Sequence, residues 1–324
     1  MTGWNFCSDN TAGASPQILA ALSEAGAAGA MMPYGADPLS QKVEKRLAEI
    51  FETDLTVCFV ATGTAANSLA LAALCPPFGA IYCHKDSHVN VDECNAPEFF
   101  TGGAKLVALD GPDGKLDAGV LATALAQGWA GVEHHPQPAA VSLTQASEAG
   151  TVYRPDEIAA IAQICRGQGL GLHVDGARFA NALATLGCTP ADASWRAGVD
   201  VLSFGATKNG ALAAEAVLFF DADKAAGFRF RRKRAGHLVS KMRFVSAQLD
   251  AYLADDLWLA NARHANAMAT RLADGLRGLA ADGFAFYPWA AGGPDCVRLV
   301  TAFDTPADAV DAFIASARRH AAQG

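Results

Sequence analysis

Lys208 lies in SFGATKNGALAAEAVLFF, residues 203–220, among small and apolar residues, and Glu215 is the nearest acid along the chain. A lysine where water is excluded is costly as a cation and better used as a neutral amine, a nucleophile. Asp175 closes GLHVD after Leu172 and Val174. A carboxylate at such a strand end either caps the next helix or pairs with a cationic ligand atom. Arg178 follows in HVDGAR. Its guanidinium suits two-pronged capture of a carboxylate, while a surface position or an ion pair with Asp175 are its plainer uses. Thr62, Gly63 and Thr64 stand between a strand-like run and a helix-like one. There they form either a plain turn or a phosphate cup of backbone N–H groups and threonine hydroxyls. His88, in DSHVN after the run AIYCH, would bring an imidazole ring to the same place.

All of these residues fall just past predicted strands, and in this order they form the set that pyridoxal phosphate (PLP) requires. A lysine amine forms an imine with the aldehyde, and a carboxylate keeps the ring nitrogen protonated. A helix N-terminus holds the phosphate, a flat ring covers one face, and an arginine takes the substrate carboxylate. Gly205, Ala206, Gly210 and Ala211 would let a flat ring approach the backbone, and Thr207 would contact the phosphate. The nucleotide motifs GxxxxGK[ST] and GxGxxG are absent. GQGLGL at 167–172 precedes a strand instead of opening a helix, which disfavours a nicotinamide dehydrogenase.

The elements that must position these groups alternate. LTVCFVATG, AIYCH, AKLVALD, AAVSLTQ, GLGLHVDGA, DVLSFGATK and EAVLFFD read as strands. TAANSLALAAL, LDAGVLATALAQ and PDEIAAIAQICRGQG read as helices between them. Leu39, Val43, Leu47 and Ile50 recur at helical spacing after Asp37-Pro38, and Ser15-Pro16 reads as another capped start. The fold class is therefore α/β, a mostly parallel sheet between helices, with ligands bound beyond the carboxyl ends of the strands. After about residue 224 the texture changes. RFRRKR is a basic run that a solvated helix face would explain equally well. A long helical stretch with a break follows from about 240 to 279. FAFYPW and CVRLVTAF read as short strands, and a last helix is capped by Thr305. This divides the chain into a large domain at 1–235 and a long helix with a small C-terminal α/β domain at 236–324.

Composition bounds the function. The chain has 324 residues, 51% hydrophobic and 18% charged, which supplies ample core. A formal charge of −8 argues against a nucleic-acid or acidic-membrane binder. The N-terminal stretch MTGWNFCSDNTAG lacks the pattern of a secretory signal, and no apolar run reaches the roughly 18 residues of a membrane span. Eight scattered cysteines without CxxC spacing read as reduced thiols in a cytoplasmic protein. No residue is assigned to a metal; His134 and His135 precede a proline in a loop.

With these residues placed, the sequence resembles the low-specificity L-threonine aldolases, a branch of the PLP fold type I enzymes. The resemblance rests on SDNTAG, YGADP, TGTAAN, HVDGAR, ATKNG and VRLVT and runs over nearly the whole chain. It implies an aspartate-aminotransferase-like large domain. It also implies retro-aldol cleavage of L-threonine, L-allo-threonine and related β-hydroxy-α-amino acids to glycine and an aldehyde. Lys208 would carry PLP, Asp175 would pair with its ring nitrogen, and His88 would stack on the ring and act, itself or through a water, as base. Thr62, Gly63, Thr64 and Thr207 would hold the phosphate, and Ser8, Arg178 and Arg298 the substrate carboxylate. Tyr34 would sit near the site mouth, with Arg243 and, less closely matched in spacing, Lys233 reaching a neighbouring subunit's phosphate. That implies a homo-oligomer, a dimer or tetramer with shared sites. Between residues 279 and 282, where family members usually carry a further strand-bearing stretch, this chain has only two alanines. The alternatives are a phenylserine aldolase, another PLP-dependent β-eliminating lyase, or a non-catalytic protein of the same fold.

Overall fold

The computed structural model describes residues 6–280 and 298–321. All seven strand runs read up to residue 220 enter one sheet: β1 (Thr56–Val60), β2 (Gly79–His84), β3 (Lys105–Leu109), β4 (Gln137–Thr144), β5 (Gly171–Gly176), β6 (Val201–Gly205) and β7 (Glu215–Phe219). Their order is β1-β7-β6-β5-β4-β2-β3. β7 is antiparallel to both of its neighbours, and every pairing from β6 to β3 is parallel. The reversal of β7 follows from its connection: residues 206–214 are too few for a crossover, which takes about a dozen or more.

The helices are α1 (Pro16–Ala27), α2 (Pro38–Phe51), α3 (Gly63–Leu74), α4 (His88–Val91), α5 (Ala96–Thr101), α6 (Ala118–Leu125), α7 (Pro155–Gln168), α8 (Phe179–Leu186), α9 (Ala222–Ala225), α10 (Phe228–Arg234), α11 (Arg243–Leu253), α12 (Leu257–Ala280) and α13 (Ala307–Ala321). Successive strand residues point to opposite faces, and both faces are covered. Ala216 and Leu218 of β7 join a core with Val43, Leu47 and Phe51 of α2, Ile158 of α7 and Phe179 of α8. Val217 and Phe219 pack instead with Ala66, Leu69 and Ala70 of α3 and Phe228 of α10. α3 is buried continuously from Ala65 to Ala72, as its nearly all-apolar sequence requires.

Asp37 caps α2, accepting from Ser40 N–H at 2.9 Å. Ser15 does not cap α1 with its side chain. Its N–H donates to Gly210 O at 2.8 Å and its hydroxyl accepts from Asn261 Nδ2 at 3.1 Å, so the start of α1 is fastened to the Lys208 turn and to α12. The break in the long C-terminal helix falls at Ala254–Asp256, where Asp255 and Asp256 take positive φ. Thr305 does not cap α13; its hydroxyl accepts from Ala302 N–H at 2.7 Å and closes the preceding turn. The described part of CVRLVTAF, residues 298–303, is not a strand. Its pattern suits a ladder, but among the described residues no neighbouring strand offers one, and Val300 N–H donates only to Phe6 O. FAFYPW and the rest of 281–297 lie outside the described residues. No described helix is long and apolar enough to cross a membrane.

Candidate active site

The chain leaving the carboxyl ends of β1, β2, β4, β5 and β6 converges around Lys208, which lines two cavities. One, of about 310 Å³, is also lined by Thr62, Gly63, Thr64, His88, Asp175 and Thr207. The other, of about 320 Å³, is also lined by Asp9, Glu148, Arg178, Asn181, Asn266 and Arg298. Apart from Arg243 and Lys233, the groups expected to hold a cofactor therefore share one cavity, and the two arginines expected to hold a carboxylate share the other.

Lys208 sits in a tight turn, Thr207–Asn209, just after β6. Asn209 Nδ2 donates to Tyr252 Oη and to Trp258 O, both at 2.8 Å, which locks the turn onto α11 and α12. Gly210 closes it at φ +115°, where a Cβ would strike Ser15 Oγ. Burial pushes the Lys208 pKa down and the Arg178 charge pushes it further, against the pull of Asp175, Asp9 and Glu215. The neutral amine is correspondingly favoured.

Asp175, 4% exposed at the end of β5, accepts from Ala177 N–H at 2.9 Å and from Asn67 Nδ2 at 2.8 Å. Arg178 is not its ion-pair partner. The guanidinium forms a two-pronged pair with Asp9, at 2.7 and 3.0 Å. Arg298 is exposed at the second cavity. Thr62 is the N-cap of α3, its hydroxyl accepting from Ala65 N–H at 3.2 Å. This leaves the N–H groups of Gly63 and Thr64, first in the helix, without an acceptor among the described residues. Such free donors at a positive helix end suit a phosphate. The Thr207 hydroxyl accepts from Ala214 N–H at 3.2 Å. His88 opens α4; its N–H donates to Glu148 Oε1 at 2.7 Å, and its Nδ1 lies 2.9 Å from Glu93 Oε1.

Four expected site residues line neither cavity. Ser8 accepts from Asn10 N–H at 3.1 Å and caps a short turn, while its neighbour Asp9 faces the site. Tyr34 is half-exposed at φ +61°, with the Lys233 ammonium 5.1 Å from its ring centroid. Arg243 Nε is buried without a hydrogen-bond acceptor. In the basic run of α10, Arg231, Lys233 and Arg234 are exposed, whereas Arg232 turns inward to donate to Phe59 O at 3.2 Å.

Sequence reasoning gave no role to Asp9, Asn67, Glu93 or Glu148, nor a site role to Glu215. Asp9 and Asn67 stand inside SDNTAG and TGTAAN, and Glu93 follows His88 by five residues across a turn. Burial pushes Glu215 up to about 7, countered by the Thr207 hydroxyl and the Lys208 charge.

Residues 5–283 match the sequence profile of the beta-eliminating lyases. The chain is 50% identical to a low specificity L-threonine aldolase of Pseudomonas aeruginosa over 83% of this chain and 77% of that one. The chain belongs to the beta-eliminating lyase family. It is also 47% identical to a low specificity L-threonine aldolase of a Pseudomonas species, over 82% of this chain and 76% of the other. A solved threonine aldolase from Leishmania major superposes with a TM-score of 0.88 at 26% identity, covering 98% of this chain and 99% of that one. An aspartate aminotransferase from Rhodobacter sphaeroides superposes at 0.72 with 16% identity, over 100% of this chain and 93% of that one, a likeness of fold alone. Beta-eliminating lyases depend on PLP, and the residues present fit that group. A half-buried lysine with a depressed pKa, a hydrogen-bonded buried carboxylate and unpaired helix N–H donors line one cavity.

Proposed function

We propose that this chain is a PLP-dependent aldolase that cleaves L-threonine, L-allo-threonine and related β-hydroxy-α-amino acids to glycine and an aldehyde. The observation that carries the reading is Lys208, a lysine held toward its neutral form between a cavity lined with cofactor-binding types and one lined with two arginines. PLP, when bound, supplies an aldehyde for an amine to join and a conjugated ring that accepts the electron pair freed from Cα–Cβ. Lys208 offers the amine. Asp175, fixed by Asn67 and Ala177, would keep a proton on the ring nitrogen. Gly63 and Thr64 would donate to the phosphate, with Thr62 and Thr207 beside them, and His88 would cover one ring face. Arg178 and Arg298 would orient the substrate carboxylate, with Asp9 holding the Arg178 fork in position and Ser8 next to it. His88, or a water it holds, would take the β-hydroxyl proton.

Tyr34, Arg243 and Lys233 lie outside this chain's own cavities and would complete the site of a neighbouring subunit in a homodimer or homotetramer. We divide the chain for function into a cofactor domain, 1–235, and a C-terminal unit, 236–324, that brings Arg298 to the substrate. The enzyme would act in the cytoplasm on a free amino acid, a reading supported by four buried cysteines, Cys58, Cys75, Cys83 and Cys165, that form no disulfide.

The test is an absorption spectrum of the purified protein. A yellow band should appear and vanish on borohydride reduction, and Lys208→Ala should lose both the band and glycine formation from threonine. A colourless protein that takes up no added PLP would refute the proposal.

A further inference from the structure

We propose that Glu93 is the positioning residue for His88, fixing Nδ1 against its carboxylate so that Nε2 is the nitrogen that exchanges a proton within the site. The proposal rests on the aldolase reading and adds a residue to it. Glu93 has no exposed side-chain surface. A carboxylate buried so completely is retained only with donors around it. Its Oε1 takes Asn67 Nδ2–H at 2.8 Å and lies 2.9 Å from His88 Nδ1, and its Oε2 takes a longer contact, 3.4 Å, from Ser68 Oγ. Asn67 spends its other amide hydrogen on Asp175 Oδ2, also at 2.8 Å. One amide thus holds two carboxylates, and their tasks differ. Asp175 lines the cofactor cavity, whereas Glu93 lies behind His88 and does not line it.

The backbone brings Glu93 inward. Cys94 and Asn95, the next two residues, both take left-handed φ, +49° and +59°. Consecutive non-glycine residues in that region are uncommon and are held by their surroundings. On the imidazole, Nε2 has no hydrogen-bond partner among the described residues, and the ring lines the cavity that Lys208 shares. When one ring nitrogen is tied to a carboxylate, that nitrogen carries the proton and the other presents the lone pair. In cleavage the β-hydroxyl proton would pass to Nε2 as C–O becomes C=O, and the Cα–Cβ electron pair would stay with the glycine carbon. In the aldol direction the proton returns from Nε2 to the alkoxide.

The charged groups facing His88 are Glu93, Asp175 and Lys208, with Glu148 on its backbone N–H. The hydrogen bond to Glu93 is the largest influence and raises the His88 pKa; burial opposes it. Burial raises Glu93 as well, so the pair keeps its proton to a higher pH than a free histidine would.

The experiment is a pH titration of the holoenzyme with ring-carbon-labelled histidine, the His88 signal being assigned by its loss in His88→Asn. Glu93→Gln keeps the shape and removes the charge. Its His88 midpoint should fall by ~1–2 units, as expected for loss of an adjacent opposite charge. The acid limb of kcat/KM for threonine should move to lower pH with it, and Glu93→Asp should restore part of both shifts. If Glu93→Gln does not fold, Glu93→Asp must still lower the midpoint. An unchanged midpoint, or a midpoint that falls while the acid limb stays, overturns the proposal. A wild-type enzyme that cleaves no β-hydroxy amino acid defeats the aldolase reading instead, and the titration alone then decides whether Glu93 governs His88.

Discussion

Glu215 faces Gly205 across β6 and β7, 4% exposed, in the cavity that holds Lys208. Burial lifts its pKa to about 7, above the unfolded value of about 4.3. The folded chain therefore binds this proton more tightly than the unfolded one. The resulting stability is full below the unfolded pKa and is lost as pH climbs to about 7. Glu215→Gln should escape that loss. Its melting temperature should match wild type near pH 4 and exceed it by a few degrees at pH 8; a gap that does not widen with pH would contradict this account. At this scale Lys208, Asp175, Arg178 and His88 were legible because each stands alone just after an apolar run. Their partners were not. Asn67 meets Asp175, and Asp9 meets Arg178, only because α3 packs across the sheet onto β5 and the N-terminal turn packs beside the Lys208 turn. Chain spacing alone offered Arg178 an ion pair with Asp175, and the fold supplies Asp9 instead.

His173 shows how the strands hold their ends in register. It lies in β5, fully buried, with Nδ1 3.0 Å from Ser142 Oγ on β4 and Nε2 2.9 Å from Ser203 Oγ on β6. The three strands so bridged carry Thr144, Asp175 and the Lys208 turn at their carboxyl ends. Burial pushes its pKa down to about 4, below the unfolded value of about 6.5. A depressed histidine gives stability that is full above pH ~6.5 and lost as pH falls toward 4, because only the unfolded chain gains the proton easily. From pH 7 to pH 5 the His173 contribution to wild-type stability should therefore shrink, opposite in sign to the change that Glu215 brings over the same range. His173→Gln should be less stable than wild type at pH 7 by about 1–3 kcal/mol, and that deficit should narrow toward pH 5. Parallel melting profiles for the two proteins would sink this reading. The strands themselves were legible because burial on both faces demands unbroken apolar runs. CVRLVTAF has the same look but no neighbour to pair with among the described residues. Ser15 has the type and place of a cap, yet its hydroxyl is drawn to α12.

At the scale of the whole molecule, the number of chains that make one site decides the role of Arg243. Arg243, with its buried unpaired Nε, and Tyr34, with Lys233 over its ring, are absent from both cavities of their own chain. A guanidinium nitrogen buried without an acceptor is costly, and an acceptor from a second copy would satisfy it. Two-fold assemblies present the same patch from each subunit, so a residue lent to a neighbour's site is repaid by the same residue in return. This predicts complementation. Lys208→Ala and Arg243→Ala should each be inactive alone. Unfolded and refolded together in equal amounts, they should form mixed dimers in which one of the two sites keeps both Lys208 and Arg243. Random pairing would then leave about a quarter of all sites intact, read as glycine formation and as the yellow band. If each chain used its own Arg243, every site in every dimer would lack one residue, and the mixture would be as inactive as its components.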